Sequence, residues 1–504
     1  AALLDQPEAM GNMSRCVTAT PDLRFANRSG GVNGFRWNFS SVLFRREQAL
    51  EGVGFWDEAR FGADGEYVAR LRRRFGRETI AKLDAGPLAI VRQSATSLTG
   101  HATLGLAARG QSARTAYRTQ FEAWHRRDDH DGRMERAAVS RFPRPAVVRG
   151  RAAPGRLDVV LASDFRLSGG TTASNVQEIL AQSRAGLSTG LIQLDSPILR
   201  AKTPISDKIL DLIDYEGVHL LTSEQAVEAG ALVVRWPPAA ANFNSAVARV
   251  AAGSTSVIVN QTPWRGPIGG ELIYEPAEVD AVVQRMFGAR PVWRPIGPAV
   301  RDAMLPYATQ VELASEDWIN VVDLSGWAGQ ARRPSGNQLP VIGRHGRDFP
   351  GKWPMDPAQL LAAYPDDGSL RVSVLGGAEV AESVIGRRPA GWEVHPFDSI
   401  GVADYLAGLD VFVYFPDPTL EEAFGRAILE AMAAGVPTIL PERFLPVFGD
   451  ASLYGRPEEV VGMVTALMAD ADRYEARSRA GLAFAAGYGH PVHIERLGAL
   501  GVTA

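Results

Sequence analysis

The stretch with most chemistry in it runs from Glu422 to Pro437, Glu-Ala-Phe-Gly-Arg-Ala-Ile-Leu-Glu-Ala-Met-Ala-Ala-Gly-Val-Pro. It follows an apolar segment ending near Tyr414 and reads as a helix from about Gly425 to Ala434, stopped by Gly435 as a C-cap and by Pro437. The local order is strand, loop, helix start, with Glu422 in the loop and Glu430 on the helix. A helix start offers free N–H groups and the positive end of the peptide dipoles, which favour a diphosphate. Gly425 lets backbone come close to such a ligand. Carboxylates repel phosphate, so the glutamates suit hydroxyls, which a nucleotide sugar carries on both sides of its diphosphate. The plain alternative is a capped amphipathic helix.

Further candidates stand at the ends of predicted strands. Val341-Ile342-Gly343-Arg344-His345 ends one, and Lys352 follows in a loop. Taken alone, Arg344, Lys352 and Arg347, the competitor of Lys352, read as solvated basic residues, although an arginine fork also suits phosphate. Ser168-Gly169-Gly170-Thr171-Thr172 follows another strand. It fits neither G-x-G-x-x-G nor G-x-x-x-x-G-K, so NAD binding and NTP hydrolysis lose support. Gly169 and Gly170 serve either a tight strand-to-helix turn or a loop facing a ligand. Asn260-Gln261-Thr262-Pro263-Trp264-Arg265 can line a cleft, whereas His219, in an apolar strand, reads as structural. Near the beginning, Asp64 stands at a helix start with Glu66 as its alternate. A helix dipole alone favours carboxylates there; a general base for a hydroxyl is the chemical reading.

Such side chains need sheets to hold them. A chain of 504 residues suggests three domains at about 150 residues each. From Leu157 onward, short apolar runs alternate with helical stretches, which predicts a parallel sheet covered on both faces. A second series starts near Trp318 with Ile319-Asn320-Val321-Val322, and Arg294-Pro295-Ile296-Gly297-Pro298 reads as the hinge between them. The expected fold is α/β, with two doubly wound Rossmann-like units, 156–300 and 301–504, and a cleft beyond the carboxyl ends of their strands. A partial α/β segment, 1–100, and a helical connector, 101–155, precede them. The connector holds eleven arginines against five acidic residues. It reads as a solvated helix and a Pro/Gly/Arg linker, with contact to a polyanionic or membrane surface as the second reading. Asp128-Asp129-His130-Asp131 within it reads as surface.

Composition narrows the classes. Lys plus Arg is 53 and Asp plus Glu is 57, without the basic excess of a nucleic-acid binder. One cysteine, Cys16, excludes an intrachain disulfide and a cysteine-built zinc site, and fits a reducing compartment. No apolar run of about 18 residues suggests a membrane span. The beginning has neither a signal-peptide pattern nor a methionine, so the chain reads as cut from something longer.

The Glu422–Pro437 run, two glutamates separated by seven residues and then Ala-Met-Ala-Ala-Gly-x-Pro, resembles the retaining GT-B glycosyltransferases of the family 4/group 1 type. The resemblance implies a GT-B architecture whose last helix crosses back to the first unit. It implies that Glu422 contacts the donor sugar, that Glu430 contacts the ribose, and that Phe424 and Gly425 offer backbone to sugar or phosphates. Family members place a Gly-Arg after the strand ending here at Arg344-His345 and a Lys shortly beyond. This implies that Arg344 and Lys352 stabilise the diphosphate leaving group without a metal. Many members carry a histidine in the first unit that touches the donor sugar, for which His219 is a poor match. Separately, Asn38 to Arg46, Val53 to Glu58 and Phe61 to Leu71 resemble the acceptor half of a family-2 GT-A glycosyltransferase, which implies Asp64 as general base. That family's nucleotide-binding half and its Asp-x-Asp motif have no counterpart before residue 100, so a divalent metal is implied only with the missing half present. Together the resemblances imply a cytoplasmic enzyme, at the inner face of the membrane, moving a sugar from a nucleotide diphosphate to a hydroxyl of a glycan or lipid-linked glycan in cell-surface polysaccharide synthesis. No cofactor is implied at the GT-B site, and nucleic acid is not a partner. The rivals are a nucleotide-sugar epimerase, a phosphorylase needing pyridoxal phosphate, and a non-catalytic glycan-binding scaffold.

Overall fold

The computed structural model describes residues 6–20, 22–24, 36–83, 86–92, 94, 112–127, 130–135, 142, 145, 148, 154–196, 199, 203–213, 217–241, 243, 245–265, 270–325, 327, 330–336, 339–420 and 425–503. The N-terminal module is built on two small sheets. Strands β1 (Gly11–Met13), β4 (Leu43–Phe44) and β5 (Ile80–Lys82) form one; β2 (Arg15–Ala19), β3 (Arg36–Trp37) and β6 (Ala89–Arg92) form the other. The helices Arg46–Val53 and Ala63–Phe75 cover the first sheet with Val53, Tyr67, Val68 and Leu71.

The connector is not a solvated helix. In the helix Ala113–Arg126, Ala113, Ala116, Tyr117, Phe121 and Trp124 repeat at helical spacing and are all buried. They pack with Phe61, Met134, Phe142 and Val148, so this segment completes the N-terminal module. Its start is tied to the following unit, because the Ala113 N–H donates to the Glu224 carboxylate at 3.0 Å. His130 stacks on Trp124, ring centroids 4.3 Å apart.

The first large unit is a seven-stranded, all-parallel sheet. Its strands are β7 (Arg156–Ser163), β8 (Thr189–Gln193), β9 (Val218–Leu220), β10 (Ala226–Arg235), β11 (Arg249–Val259), β14 (Val292–Pro295) and β15 (Glu312–Leu313), in spatial order β15-β14-β11-β10-β7-β8-β9. A two-residue hairpin, β12 (Trp264–Arg265) with β13 (Glu271–Leu272), lies outside it. The second unit is a six-stranded parallel sheet of β16 (Val341–His345), β17 (Arg371–Leu375), β18 (Trp392–His395), β19 (Val411–Val413), β20 (Thr438–Leu440) and β21 (Leu453–Tyr454), in order β18-β17-β16-β19-β20-β21. Each sheet therefore runs third, second, first, fourth, fifth, sixth from one side, and the first adds β15 as a seventh strand at its edge. The strand order reverses between β7 and β10 and between β16 and β19, and a crevice opens at each reversal.

Two expectations fail at the junction. Arg294 to Pro298 is not a hinge: it ends β14, near the sheet edge, where a proline at the end of a strand costs no inner ladder bond. The first sheet runs past residue 300 to β15, so 300 does not divide the units. Ile319 to Val322 forms no sheet strand; Val322 only bridges Gly489 as the chain crosses over.

The last helix, His490–Ala499, packs against the helix Gly170–Arg184 of the first unit. At their contact Glu178 is buried, ion-paired with Arg235 from β10 and accepting from the Trp318 indole at 2.8 Å. Gln182 donates to His493 Nε2 at 2.9 Å, and Arg496 donates to the Ile319 carbonyl at 2.6 Å. Burial alone would raise the Glu178 carboxyl, but Arg235 and its neighbours hold it down at about 2. Burial pushes His493 down to about 3, so it is neutral at pH 7. Among the described residues no helix is long and apolar enough to cross a membrane.

Removing one partner of a buried pair strands the other charge. Glu178→Ala should cost about 3–5 kcal/mol, read as a lower urea midpoint; an unchanged midpoint would mean that the cluster does not secure the crossover. Acid should loosen the same junction in two stages. The unfolded histidine titrates near 6.5 and the folded His493 near 3, so the unfolded chain gains the proton first and stability falls below about pH 6.5. Glu178 adds a second loss below about pH 4.5, its unfolded value. Melting curves down the pH scale check this, and His493→Gln should flatten the first stage.

Candidate functional site

Loops at the carboxyl ends of the two sheets touch each other. The loop after β7 starts the helix Gly170–Arg184, and the loop after β16 carries Gly346 to Lys352. Arg347 crosses between them, its Nη2 donating to the Ser168 carbonyl at 3.1 Å and lying 3.2 Å from its Oγ. A Cβ on Gly169 would stand 3.6 Å from the same Nη2. At a second crossing, Lys208 reaches Asp398 at 3.3 Å.

The structure separates the two Gly-Arg pairs of this region. Gly343-Arg344 lies inside β16. A Cβ at Gly343 would come within 2.6 Å of the Tyr405 hydroxyl, so glycine there serves packing. The Arg344 guanidinium is buried flat over Trp353, 3.8 Å from the ring centroid, and donates to the Lys352 carbonyl. Gly346-Arg347 is the pair that leaves the strand. The Gly346 N–H donates to the Leu375 carbonyl at 3.0 Å, and any Cβ on Gly376 would fall 2.0 Å from the Gly346 oxygen. Asp348 then fixes the loop, accepting from the Trp353 indole at 2.8 Å and from the Val380 N–H at 3.0 Å. Lys352 ends a short 3-10 turn with its Nζ 5.7 Å from the centre of the Tyr414 ring.

The opposite wall comes from the loop after β19. Its Asp417 N–H donates to the Gly351 carbonyl at 3.1 Å, joining the two loops that flank this crevice. Gly425 caps the helix Arg426–Ala433 at φ 85°, in the left-handed region, where a Cβ would meet Ile428 Cδ1 at 2.9 Å. Glu430 is largely buried: Arg426 donates to it at 2.8 Å, and His345 Nε2 lies 3.4 Å from its other oxygen. Burial lowers the His345 pKa, so the ring is neutral at pH 7. Glu422 and Phe424 lie outside the described residues.

The first unit contributes its own wall. Asn260 donates to Thr171 Oγ1 at 2.9 Å, linking the loop after β11 to the helix that Gly170 begins. Beyond β10, Trp236 sits at φ 68°, an uncommon conformation for a bulky residue that is retained most often where a site needs it. Sequence reasoning passed over Trp236; its one local signal is the Pro237-Pro238 pair after it. His219 is half-buried in β9, its pKa lowered by burial.

In the N-terminal module the two acidic candidates part company. Glu66 is buried and held by Arg70 at 2.6 Å and His125 at 2.9 Å, so its carboxylate is structural. Asp64 lines a cavity, its Oδ1 accepting from the Gly65 N–H at 2.9 Å. Asp128 and Asp129 lie outside the described residues, and among those described no three His, Cys, Asp or Glu side chains converge on a metal position.

No family model and no curated protein matches the sequence. Solved structures do show similarity. Anabaena Alr3699/HepE, solved with UDP and glucose, is 12% identical over 68% of this chain and 98% of its own, with a TM-score of 0.47. Sucrose-phosphate synthase from Thermosynechococcus elongatus is 12% identical over 68% and 98%, with a TM-score of 0.44. The pneumococcal O-GlcNAc transferase GtfA, solved with UDP and GlcNAc, is 9% identical over 68% and 99%, with a TM-score of 0.44.

The left-handed cap is one sterically sensitive point of the second unit. Gly425→Ala forces a Cβ into that region and should destabilise by about 1–2 kcal/mol. The check is the melting temperature; no change would mean that the loop relaxes freely and that glycine is not required there.

Proposed function

We propose that this chain transfers a sugar from a nucleoside-diphosphate sugar to a hydroxyl of a glycan or glycolipid, with the donor held where the two crevices meet. The observation that carries the reading is the pairing of Arg347 with the Ser168 loop. A guanidinium, an ammonium and two helix starts flank one gap, and that combination suits a diphosphate. In the reaction the bond from the anomeric carbon to the diphosphate oxygen breaks and the acceptor oxygen bonds to that carbon. Negative charge gathers on the departing diphosphate, and the acceptor proton passes to one of its oxygens. Arg347, Lys352 and the start of the helix at Gly425 stabilise that charge in place, with no reorganisation at the moment of transfer. In this reading the cleft uses no metal.

Arg347 takes the role first expected of Arg344, because it is the arginine that follows the strand. Arg344 acts through Lys352, whose carbonyl it holds. Glu430 accepts from the ribose hydroxyls, and Arg426 fixes its carboxylate. Glu422 is assigned to the donor sugar, Phe424 and Gly425 to backbone contacts, and Gly169 and Gly170 to the phosphate side of the first unit. Retention of anomeric configuration belongs to the proposal, as does a hexosyl donor. So does an acceptor-side role for the N-terminal module, where Asp64, in preference to the locked Glu66, is general base for a hydroxyl bound in that module and not for the transfer in the cleft.

Calorimetry against UDP-, GDP-, ADP- and dTDP-sugars, with and without EDTA, tests the reading. One nucleotide should bind independently of EDTA, and Arg347→Ala and Glu430→Ala should each weaken it about tenfold or more, or about 1.4 kcal/mol. If no nucleotide binds, the chain is better read as a glycan-binding scaffold. With a competent acceptor, NMR of the new linkage should show the donor's anomeric configuration; inversion would remove that part of the proposal.

A further inference from the structure

Away from the cleft, the N-terminal module holds a cavity of about 960 Å³ between the helices Ala63–Phe75 and Ala113–Arg126 and the segment 37–40. The sequence places arginine on the inward face of both helices. Arg72 and Arg73 follow Asp64 and Ala69 at helical spacing, with Arg77 just past the helix end, and Arg114 and Arg118 are one turn apart on the facing helix. Among the described lining residues, Asp64 and Glu122 supply the opposing charge. Five guanidinium groups against two carboxylates leave a concave positive surface, and low-dielectric walls concentrate its field.

The cavity is held open by specific contacts. Gly62, at φ 82°, starts one helix where a Cβ would come within 3.1 Å of the Tyr117 ring. The Tyr117 hydroxyl donates to Asp57 at 2.6 Å, and Arg73 donates to the Arg127 carbonyl at 2.8 Å. Arg114 lies over the Phe61 ring, 5.0 Å from its centroid. The Arg72 Nε is buried with no hydrogen-bond partner among the described residues, so its terminal nitrogens are the ones that can meet a ligand. Trp37, Phe39 and Tyr117 add ring surface to the lining. The volume is that of a small-molecule pocket, far more than one phosphate fills.

We infer that this cavity is a second ligand site, separate from the cleft, for a phosphorylated saccharide: the arginines grip the phosphate or diphosphate, the aromatic rings carry the sugar, and Asp64 stands beside its hydroxyls. The inference does not depend on the glycosyl-transfer reading of the cleft. The same chemistry is offered by a soluble sugar phosphate and by a lipid-linked sugar diphosphate. It also turns Arg114 and Arg118 of the basic connector toward a ligand within the module and away from a flat membrane surface.

The full chain should be titrated with maltose phosphate and inorganic pyrophosphate, with neutral maltose as control, and mixed with phosphatidylcholine vesicles with and without a polyprenyl diphosphate. A phosphate-bearing probe should bind where maltose does not. The double change Arg72→Ala/Arg118→Ala should weaken it about tenfold or more. Arg118→Glu alone, at an exposed position, should weaken it in a chain whose melting temperature is unchanged. Arg347→Ala should leave this binding intact, which separates it from the cleft. Arg118-dependent binding of the soluble probes makes the ligand a free sugar phosphate; Arg118-dependent binding only to the polyprenyl-diphosphate vesicles makes it a lipid-linked one. No binding in either arm, binding indifferent to Arg72 and Arg118, or binding lost with Arg347→Ala overturns the inference.

Discussion

A buried carboxylate is tolerable only with its charge answered, and Glu178 is answered from three distant parts of the chain. Arg235 comes from the end of β10, Trp318 from the crossover between the two large units, and His493 and Arg496 surround it from the last helix. None of these elements can shift without exposing the others' unmet polarity to an apolar interior. The crossover and the returning helix are thereby pinned to the first unit, and the second unit hangs from that anchor. The gap between the sheets inherits its position from this contact.

The gap has a chemical character because of where parallel sheets reverse. A strand order that starts in the middle and builds outward first one way, then the other, leaves two neighbouring loops diverging at the carboxyl edge. In the first sheet the loops after β7 and β10 diverge, and in the second those after β16 and β19. Arg347, Lys352, Gly425 and Glu430 all belong to the second pair; Ser168, Gly169 and Trp236 belong to the first. Arg347 donates to the Ser168 carbonyl and so joins a loop of the second pair to one of the first.

Much of this was legible from residue types. The apolar runs at 157–162, 232–234, 341–342 and 411–413 are inner strands, since a strand covered on both faces has nothing but apolar side chains to show. Gly425 and the helix it begins stand where the motif put them. The weak strands escaped: β15 and β21 are two residues long and β18 is mixed, so neither period nor length marks them. The connector misled for a different reason. Its arginines dominate its composition, but a helix has two faces, and the apolar one is buried.

The sequence alone determined that there are two doubly wound units and that a helix starts at Gly425 and stops before Pro437, because hydrophobic period, glycine and proline act locally. Tertiary structure decided which of two Gly-Arg pairs leaves its strand, which of Asp64 and Glu66 stays accessible, and which arginines face one another. Those outcomes rest on where a strand ends against its neighbours and on which partner meets a buried charge. Both are settled by segments tens to hundreds of residues away: Gly376 against Gly346, His125 against Glu66, and Ser168 against Arg347. Local spacing carries no information about such distant contacts, and so the chain offered candidate side chains whose positions only the fold decided.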